Sequence, residues 1–296
     1  MTGQKTVVIT GCSAGGVGAA IAFALAKRGH YVFATARNPS KIPAELTALS
    51  VVTAVPLDVA SSASVIEAAA TVARATQEKG LSGIDVLINN AGIGYTIPLL
   101  DVDIDKAKEV FEANFWGPLR TVQAFSDLLI QRKGRVINVS SVGSNINLPW
   151  IGIYSSSKAA LNSLTNTLRV ELSSFDVSVT TLMLGTVATP FADNGMTNGL
   201  TLPPNSRYIL IEDVIGRWVS GEDIPKGCSP TELAESVVKD ILGSKNPDHL
   251  WRGPQSSMGW FISRFMPWWL IDTMAKGNGL TELSKRLSRG VAPAAK

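Results

Sequence analysis

Tyr154 and Lys158 close the run Tyr154-Ser155-Ser156-Ser157-Lys158, four residues apart. On a helix that spacing puts both side chains on one face. A free phenol ionises at about pH 10, too high to exchange protons readily near neutrality. A neighbouring ammonium favours the phenolate and lowers that value. The pair is then an acid/base suited to protonating a developing alkoxide. Surface Tyr/Lys pairs at this spacing are also common, so other residues must decide. Ser141 ends the apolar run GRVINVSS thirteen residues before Tyr154. A hydroxyl at the C-terminal end of a parallel strand faces the ligand crevice and can hold a carbonyl oxygen there. Ser140, its neighbour, is expected to turn into the packing.

A second candidate is the stretch TVVITGCSAGGVGAA, residues 6–20. Gly11-Cys12-Ser13-Ala14-Gly15 fits G-x-S-x-G, the turn that presents a hydrolase serine. A hydrolase would need an earlier strand's loop for its oxyanion hole, and nothing upstream supplies one. It would also need a histidine, and only His30 and His249 exist. A P-loop would need Lys-Ser/Thr where Val17-Gly18 stands. A dinucleotide loop fits the surroundings. A strand ends at Thr10, glycines follow, and a helix opens near Gly16–Gly18. Glycines let backbone approach a pyrophosphate, and the helix N-terminus offers free N–H donors and partial positive charge. Ser13 then belongs to the phosphate cradle. Asn89-Asn90-Ala91-Gly92 ends another strand and can meet a ligand at the same edge. Asn114, in FEANFWG, sits mid-helix where asparagine gains little; it is either a buried hydrogen-bonded residue or part of a proton relay.

The elements that must position these residues alternate. Strands are expected at Thr6–Ile9, Tyr31–Ala36, Val51–Pro56, Asp85–Asn89, Arg135–Ser140, Val177–Met183 and His249–Arg252. Helices are expected at Gly16–Arg28, Ser62–Glu78, Asp103–Arg132, Tyr154–Ser173 and from Ser229-Pro230 to about Leu242, with Ser229 as N-cap and Pro230 at N1. Such alternation implies βαβ crossovers and a parallel sheet. The strands are apolar runs, as when helices cover both faces. Gly185–Lys226 has little periodicity and is expected to be a mobile loop region. No repeat or linker divides the chain. Residues 1–253 are therefore taken as one domain, with a substrate loop at 185–226. Residues 254–296 form an aromatic-rich extension containing Trp260, Trp268 and Trp269.

Bulk composition narrows the function. In 296 residues, 45% are hydrophobic and 17% charged, which argues against disorder. A net charge of +3 gives no support to nucleic-acid binding. Two cysteines, Cys12 and Cys228, and two histidines make a four-ligand metal site improbable. No basic segment followed by an apolar core opens the chain. These features point to a reducing, intracellular compartment.

Taken together, the motifs resemble those of the short-chain dehydrogenase/reductase family over roughly residues 5 to 250. They are Thr10-Gly11…Gly16-Val17-Gly18, Asn89-Asn90-Ala91-Gly92, Asn114, Ser141 and Tyr154…Lys158, in order and at family-like spacing. The resemblance implies a single Rossmann-type doubly wound parallel sheet flanked by helices, with the C-terminal extension added, and hydride transfer between a nicotinamide and a carbonyl/alcohol pair. By that similarity Tyr154 is the acid/base. Lys158 lowers its pKa and binds the nicotinamide ribose. Ser141 orients the substrate oxygen and Asn114 holds a water in the proton path. Gly11, Ser13, Gly16, Val17 and Gly18 line the pyrophosphate. Asp58 and Val59 lie at the adenine, Asn90, Ala91 and Gly92 along the cofactor, and Gly185, Val187 and Thr189 at the nicotinamide. Two departures stand out. The glycine loop has one extra residue, and Leu184-Gly185 replaces the family's usual Pro-Gly.

The second strand ends FATARN, with Arg37 where an NAD enzyme would carry an acid. A guanidinium takes a 2′-phosphate in a bidentate grip, and Lys41 follows. The expected cofactor is NADP(H), with reduction favoured. The glycine loop, FATARNPSKI and the WRG strand are similar to fungal reductases related to 1-acyldihydroxyacetone-phosphate reductase. They imply a large apolar ketone, from lipid or secondary metabolism. Alternatives are a hydroxysteroid-type dehydrogenase and an NADP-binding module with no redox role. A homo-oligomer is expected. The tryptophan-rich segment is a lid, an interface or a peripheral membrane contact, on a cytoplasmic or lipid-associated protein; Arg264, Pro267 and Asp272 interrupt it too often for a span.

Overall fold

The computed structural model describes residues 3–191 and 200–289. Residues 192–199 of the expected substrate loop, and the last residues of the extension, lie outside the described residues. Among the described residues, seven strands form one sheet: β1 (Thr6–Ile9), β2 (Tyr31–Ala36), β3 (Val52–Pro56), β4 (Val86–Asn89), β5 (Arg135–Ser141), β6 (Ser178–Leu184) and β7 (His249–Arg252). Their order is β3-β2-β1-β4-β5-β6-β7, and every pairing is parallel. All strand C-termini therefore share one edge.

The α-helices among the described residues are α1 (Val17–Ala26), α2 (Ala44–Thr47), α3 (Ser62–Glu78), α4 (Ile104–Phe111), α5 (Gly117–Arg132), α6 (Gly152–Glu171), α7 (Glu212–Val219), α8 (Pro230–Leu242), α9 (Ser256–Phe265), α10 (Trp268–Lys276) and α11 (Leu280–Ser288). Alternate strand residues feed opposite cores. Val7, Ile9, Val32 and Ala34 pack with α1 and α8 on one face. Val8, Phe33, Val55 and Leu87 pack with α3 and α5 on the other. Burial on both faces accounts for the unbroken apolar strands. The stop and start signals also work locally. Ser229 caps α8 as expected: its hydroxyl accepts from the Glu232 N–H at 3.2 Å, and Glu232 accepts from the Ser229 N–H at 2.9 Å.

Two expectations need correction. The long helix over Asp103–Arg132 is broken by a π-helical turn at Glu112–Trp116. Gly185–Lys226 is not all loop: α7 forms there, because Ile211, Val214 and Ile215 share one helical face and join a small third core with Trp150 and Leu202. The described part of the aromatic-rich extension consists of three helices, α9 to α11.

Candidate active site

Sheet order reverses between β1 and β4, the place where a parallel α/β sheet opens a crevice at its C-terminal edge. Gly11 leaves β1 there and Asn90 leaves β4. Gly11 is left-handed (φ +75°), and a Cβ on it would lie 2.9 Å from Ala91 Cα. A Cβ on Gly18 would lie 2.5 Å from both the Gly11 oxygen and Asn90 Nδ2. The Asn90 amide latches the two loops by donating to the carbonyls of Thr10 at 2.8 Å and Gly11 at 3.0 Å. In return, Thr10 Oγ1 accepts from the N–H groups of Asn90 and Ala91, each at 3.0 Å. Gly16 is the N-cap of α1 and Val17 its first residue. No side chain caps that end and no acid sits in the first turn, so its N–H groups stay available to an anion.

The glycine loop is tied to the end of β2. The Cys12 N–H donates to Thr35 O at 2.8 Å, and the Ala14 N–H to Lys41 O at 2.9 Å. Ser13 thus sits next to the turn that carries Arg37 and Lys41. Both cations are exposed and have no ion-pair partner among the described residues. Asp58, half-buried after β3, accepts from the Ala60 N–H at 3.0 Å, while its own N–H donates to Ser64 Oγ at 3.0 Å. Val59 is buried against Gly117. A backbone with no room for Cβ, an uncapped helix end and unpaired cations fit a dinucleotide phosphate chain.

A serine nucleophile does not fit. Both histidines begin strands, His30 before β2 and His249 at the start of β7. They lie at the edge opposite Ser13, and His30 Nδ1 already accepts the Lys5 N–H at 3.1 Å. Cys12 is fully buried, which pushes its thiol up to about 12; it is packing, not a nucleophile.

Along the same edge β5 delivers Ser141 and α6 delivers Tyr154 and Lys158. The Ser141 side chain lies close enough to the Tyr154 hydroxyl to favour its ionised form. Lys158 is 5% exposed and donates to Val139 O at 2.8 Å. Gly92 makes room for Asn114: a Cβ there would lie 2.9 Å from Asn114 Oδ1, and at an ordinary contact distance of 3.5 Å from Lys158 Nζ. Asn114 is fully buried on the π-turn, a distortion frequent at functional sites. Its amide donates to Ile93 O at 2.9 Å and Ser157 Oγ at 3.0 Å, and its oxygen accepts the Ile93 N–H at 2.9 Å. The side chain is thereby committed to positioning the Gly92–Ile93 turn. Ser140 turns inward toward Lys158 O. Asn89 also turns inward, bonded to Asn138 at 2.8 Å and to Thr121 at 2.6 Å, so Asn90 and its successors alone face the crevice.

Electrostatics here differ from expectation. Burial raises the Tyr154 phenol above its ordinary 10.0, and the nearby Ser141 hydroxyl offsets this only in part. The Lys158 ammonium is turned to Val139 O, and its position on the same helix face does not outweigh that burial. Burial instead lowers Lys158 itself to about 8. At neutral pH the tyrosine is a protonated donor beside a mostly protonated lysine.

Residues 185–191, which follow β6, border the crevice from the other side. Gly185 donates to Arg252 O at 2.9 Å, and a Cβ on it would collide with the Pro254 carbonyl, so the replacement of proline before it leaves the turn well anchored. Val187 bridges to Cys228, and Thr189 Oγ1 accepts the Phe191 N–H at 3.4 Å. Two further contacts were not foreseeable from spacing. Gly15, in the lengthened glycine loop, is left-handed and seats the Pro190 ring, 3.2 Å from where its Cβ would be. Phe191 meets the Tyr154 ring edge-on, centroids 5.8 Å apart, over Gly94. A large aromatic isolated in a polar loop was the only signal for it. A separate surface cavity of about 440 Å³ beside α7 shares no residue with this edge, and its charged groups are already paired, Arg286 with Asp213 and Glu282, and Arg217 with Asp223.

Comparison with known proteins agrees with this geometry. A family profile described as short chain dehydrogenase matches residues 5–198. The short-chain dehydrogenase ptmH of Penicillium ochrochloron is 42% identical over 91% of this chain and 96% of its own. The NADPH-dependent 1-acyldihydroxyacetone phosphate reductase of Schizosaccharomyces pombe is 34% identical over 88% and 89%. A crystal structure of a short chain dehydrogenase from Burkholderia cenocepacia in complex with NADP superposes with TM-score 0.68 at 26% identity, covering 90% of this chain and 95% of that one.

Proposed function

The chain belongs to the short-chain dehydrogenase family and is an oxidoreductase, and from that premise we propose that it reduces the ketone of a large apolar substrate with NADPH. The observation that carries the proposal is the Ser141–Tyr154–Lys158 cluster at the same sheet edge as an open, uncapped helix N-terminus. Gly11, Ser13, Gly16, Val17 and Gly18 would hold the pyrophosphate, Asp58 and Val59 the adenine end, and Asn90 to Gly92 the middle of the cofactor. Lys158 would hold the ribose, and Gly185, Val187 and Thr189 the nicotinamide end. Arg37, seconded by Lys41, suits a 2′-phosphate and supports NADPH over NADH. NADPH supplies the hydride when bound.

The residues of the chain manage the proton and the oxygen. Ser141 Oγ and Tyr154 Oη, neighbours at this edge, would converge on one point where a carbonyl oxygen can accept from both. Tyr154 donates its proton to that oxygen as negative charge develops; its raised pKa keeps the proton in place at neutral pH, and the far more basic alkoxide still takes it. The Lys158 ammonium then stabilises the phenolate that is left. Phe191 and Pro190 exclude water and give the pocket an apolar wall, which supports an apolar ketone such as a 1-acyldihydroxyacetone phosphate or a secondary metabolite. Exposed Leu99, Leu100 and Ile104 near the start of α4 support a homo-oligomer contact. No helix among the described residues is long and apolar enough to cross a membrane. Peripheral contact through the C-terminal aromatic helices belongs to the same proposal.

The test is Tyr154→Phe, assayed by NADPH consumption against apolar ketones. The variant should bind NADPH as before and lose turnover; undiminished turnover would show that the acid is another group.

A further inference from the structure

We infer that α9 and α10 form a flat docking face for an anionic lipid bilayer, which brings the ketone site to its substrate; the substrate part of this rests on the reductase reading, the docking part does not. The face is made of side chains the domain leaves uncovered. On α9 only Ser256, Gly259 and Ile262 are buried, and on α10 only Ile271. The remainder projects outward: Phe265 is 63% exposed, Trp268 62% and Trp269 68%, with Met258, Phe261 and Met274 more than half exposed. Trp260, Phe261 and Phe265 form one ring cluster with centroids 5.3–5.7 Å apart. Packing on the domain, the ordinary use of such residues, is therefore not what they do.

Residue chemistry and charge select the occupant. Tryptophan settles at the headgroup level of a bilayer, and Pro267 breaks the segment into two short helices that can lie in the interface plane. Over residues 256–289 there are five Lys/Arg (264, 276, 285, 286, 289) against Asp272 and Glu282. Arg286 is paired, whereas Arg264 and Lys276, which flank the aromatic cluster, have no ion-pair partner among the described residues. Unpaired cations beside interfacial aromatics complement anionic headgroups. The face is also fixed to the active edge. A Cβ on Gly259 would lie 3.2 Å from Val142 Cβ, so α9 rests directly on the turn that follows Ser141. An apolar ketone dissolved in the bilayer can then reach the site without crossing bulk water.

The test is flotation of the full chain with phosphatidylcholine vesicles and with phosphatidylserine-containing vesicles, with sizing chromatography in parallel. The inference expects a larger bound fraction on the phosphatidylserine vesicles, reduced by high salt. It also expects a loss of about tenfold or more in the double variant Trp268→Ala/Trp269→Ala, from the apolar area withdrawn. Absence of binding to either vesicle overturns it. So does an oligomer that the same double variant dissociates, because a second copy would then own the face. Binding is measured without NADPH and repeated with Tyr154→Phe, so failure of the redox assignment leaves this result readable.

Discussion

The strand-end edge and the C-terminal helices break the ordinary partition of side chains in opposite directions. At the edge, polar groups are buried: Lys158 at 5% exposure, and Asn89, Asn114, Asn138 and Thr165 at 3% or less. In the C-terminal helices apolar groups are exposed, led by Trp268 and Trp269. Buried polar groups and exposed apolar patches are the informative departures from burial statistics. The buried set is internally satisfied. Asn89 bonds Asn138, Asn138 bonds Thr165 at 2.9 Å, and Lys158 bonds Val139 O, which leaves Lys158 as the one member that carries a charge. The exposed set is covered by nothing among the described residues. One region buries polar groups at the sheet edge; the other leaves aromatic groups uncovered.

If the edge is chemical, its largest response is to Tyr154→Phe. Ketone reduction should fall about 10²–10⁴-fold with NADPH binding retained, read by initial rates and by NADPH fluorescence titration. Lys158→Met should cost nearly as much turnover while separating stability from function. Lys158 binds fewer protons in the folded chain than in the unfolded chain between about 8 and its ordinary 10.5. The contribution of this group to stability is therefore least favourable below pH 8 and rises through that window. Thermal melts at neutral pH should place Lys158→Met at or above the parent, with the gap closing as pH rises. Wild-type reduction should likewise decline as pH passes about 8, because Lys158 loses its charge while Tyr154 stays protonated. A smaller effect is expected at Arg37. Arg37→Ser should raise the KM for NADPH about tenfold to a hundredfold and leave that for NADH nearly unchanged, measured by steady-state kinetics with each cofactor. Smallest of all should be the melting response to Trp268→Ala/Trp269→Ala. Side chains this exposed contribute little to folding, so a large drop in Tm would mean that they are core and would erase the contrast.

Much of the edge was legible in sequence because its residues sit close together along single elements. Tyr154 and Lys158 share one helix, Ser141 ends one strand, and the glycines open one turn. The seven strands were legible for a related reason, since burial on both faces leaves unbroken apolar runs. What could not be read depends on contacts between distant segments. Gly15 has its packing role only because Pro190 lands on it, and Phe191 matters only because the chain returns across Tyr154. The π-turn at Asn114 has no propensity signal, since α and π turns favour the same residues. The direction of the Tyr154 shift was misjudged because spacing gives proximity to Lys158 but not the burial that raises the phenol. The helix α7 was hidden by the Gly- and Pro-rich sequence around it, although Ile211, Val214 and Ile215 carry its pattern.

The central claim is that Tyr154 protonates an oxygen whose carbon receives hydride from NADPH, and isotope transfer tests it most directly. The chain is incubated with an apolar ketone and NADPH deuterated at C4 of the nicotinamide, and the alcohol is read by mass spectrometry. The account predicts one deuterium on the new carbinol carbon with the parent chain and almost none with Tyr154→Phe. An unlabelled alcohol, or equal labelling by both chains, would contradict it.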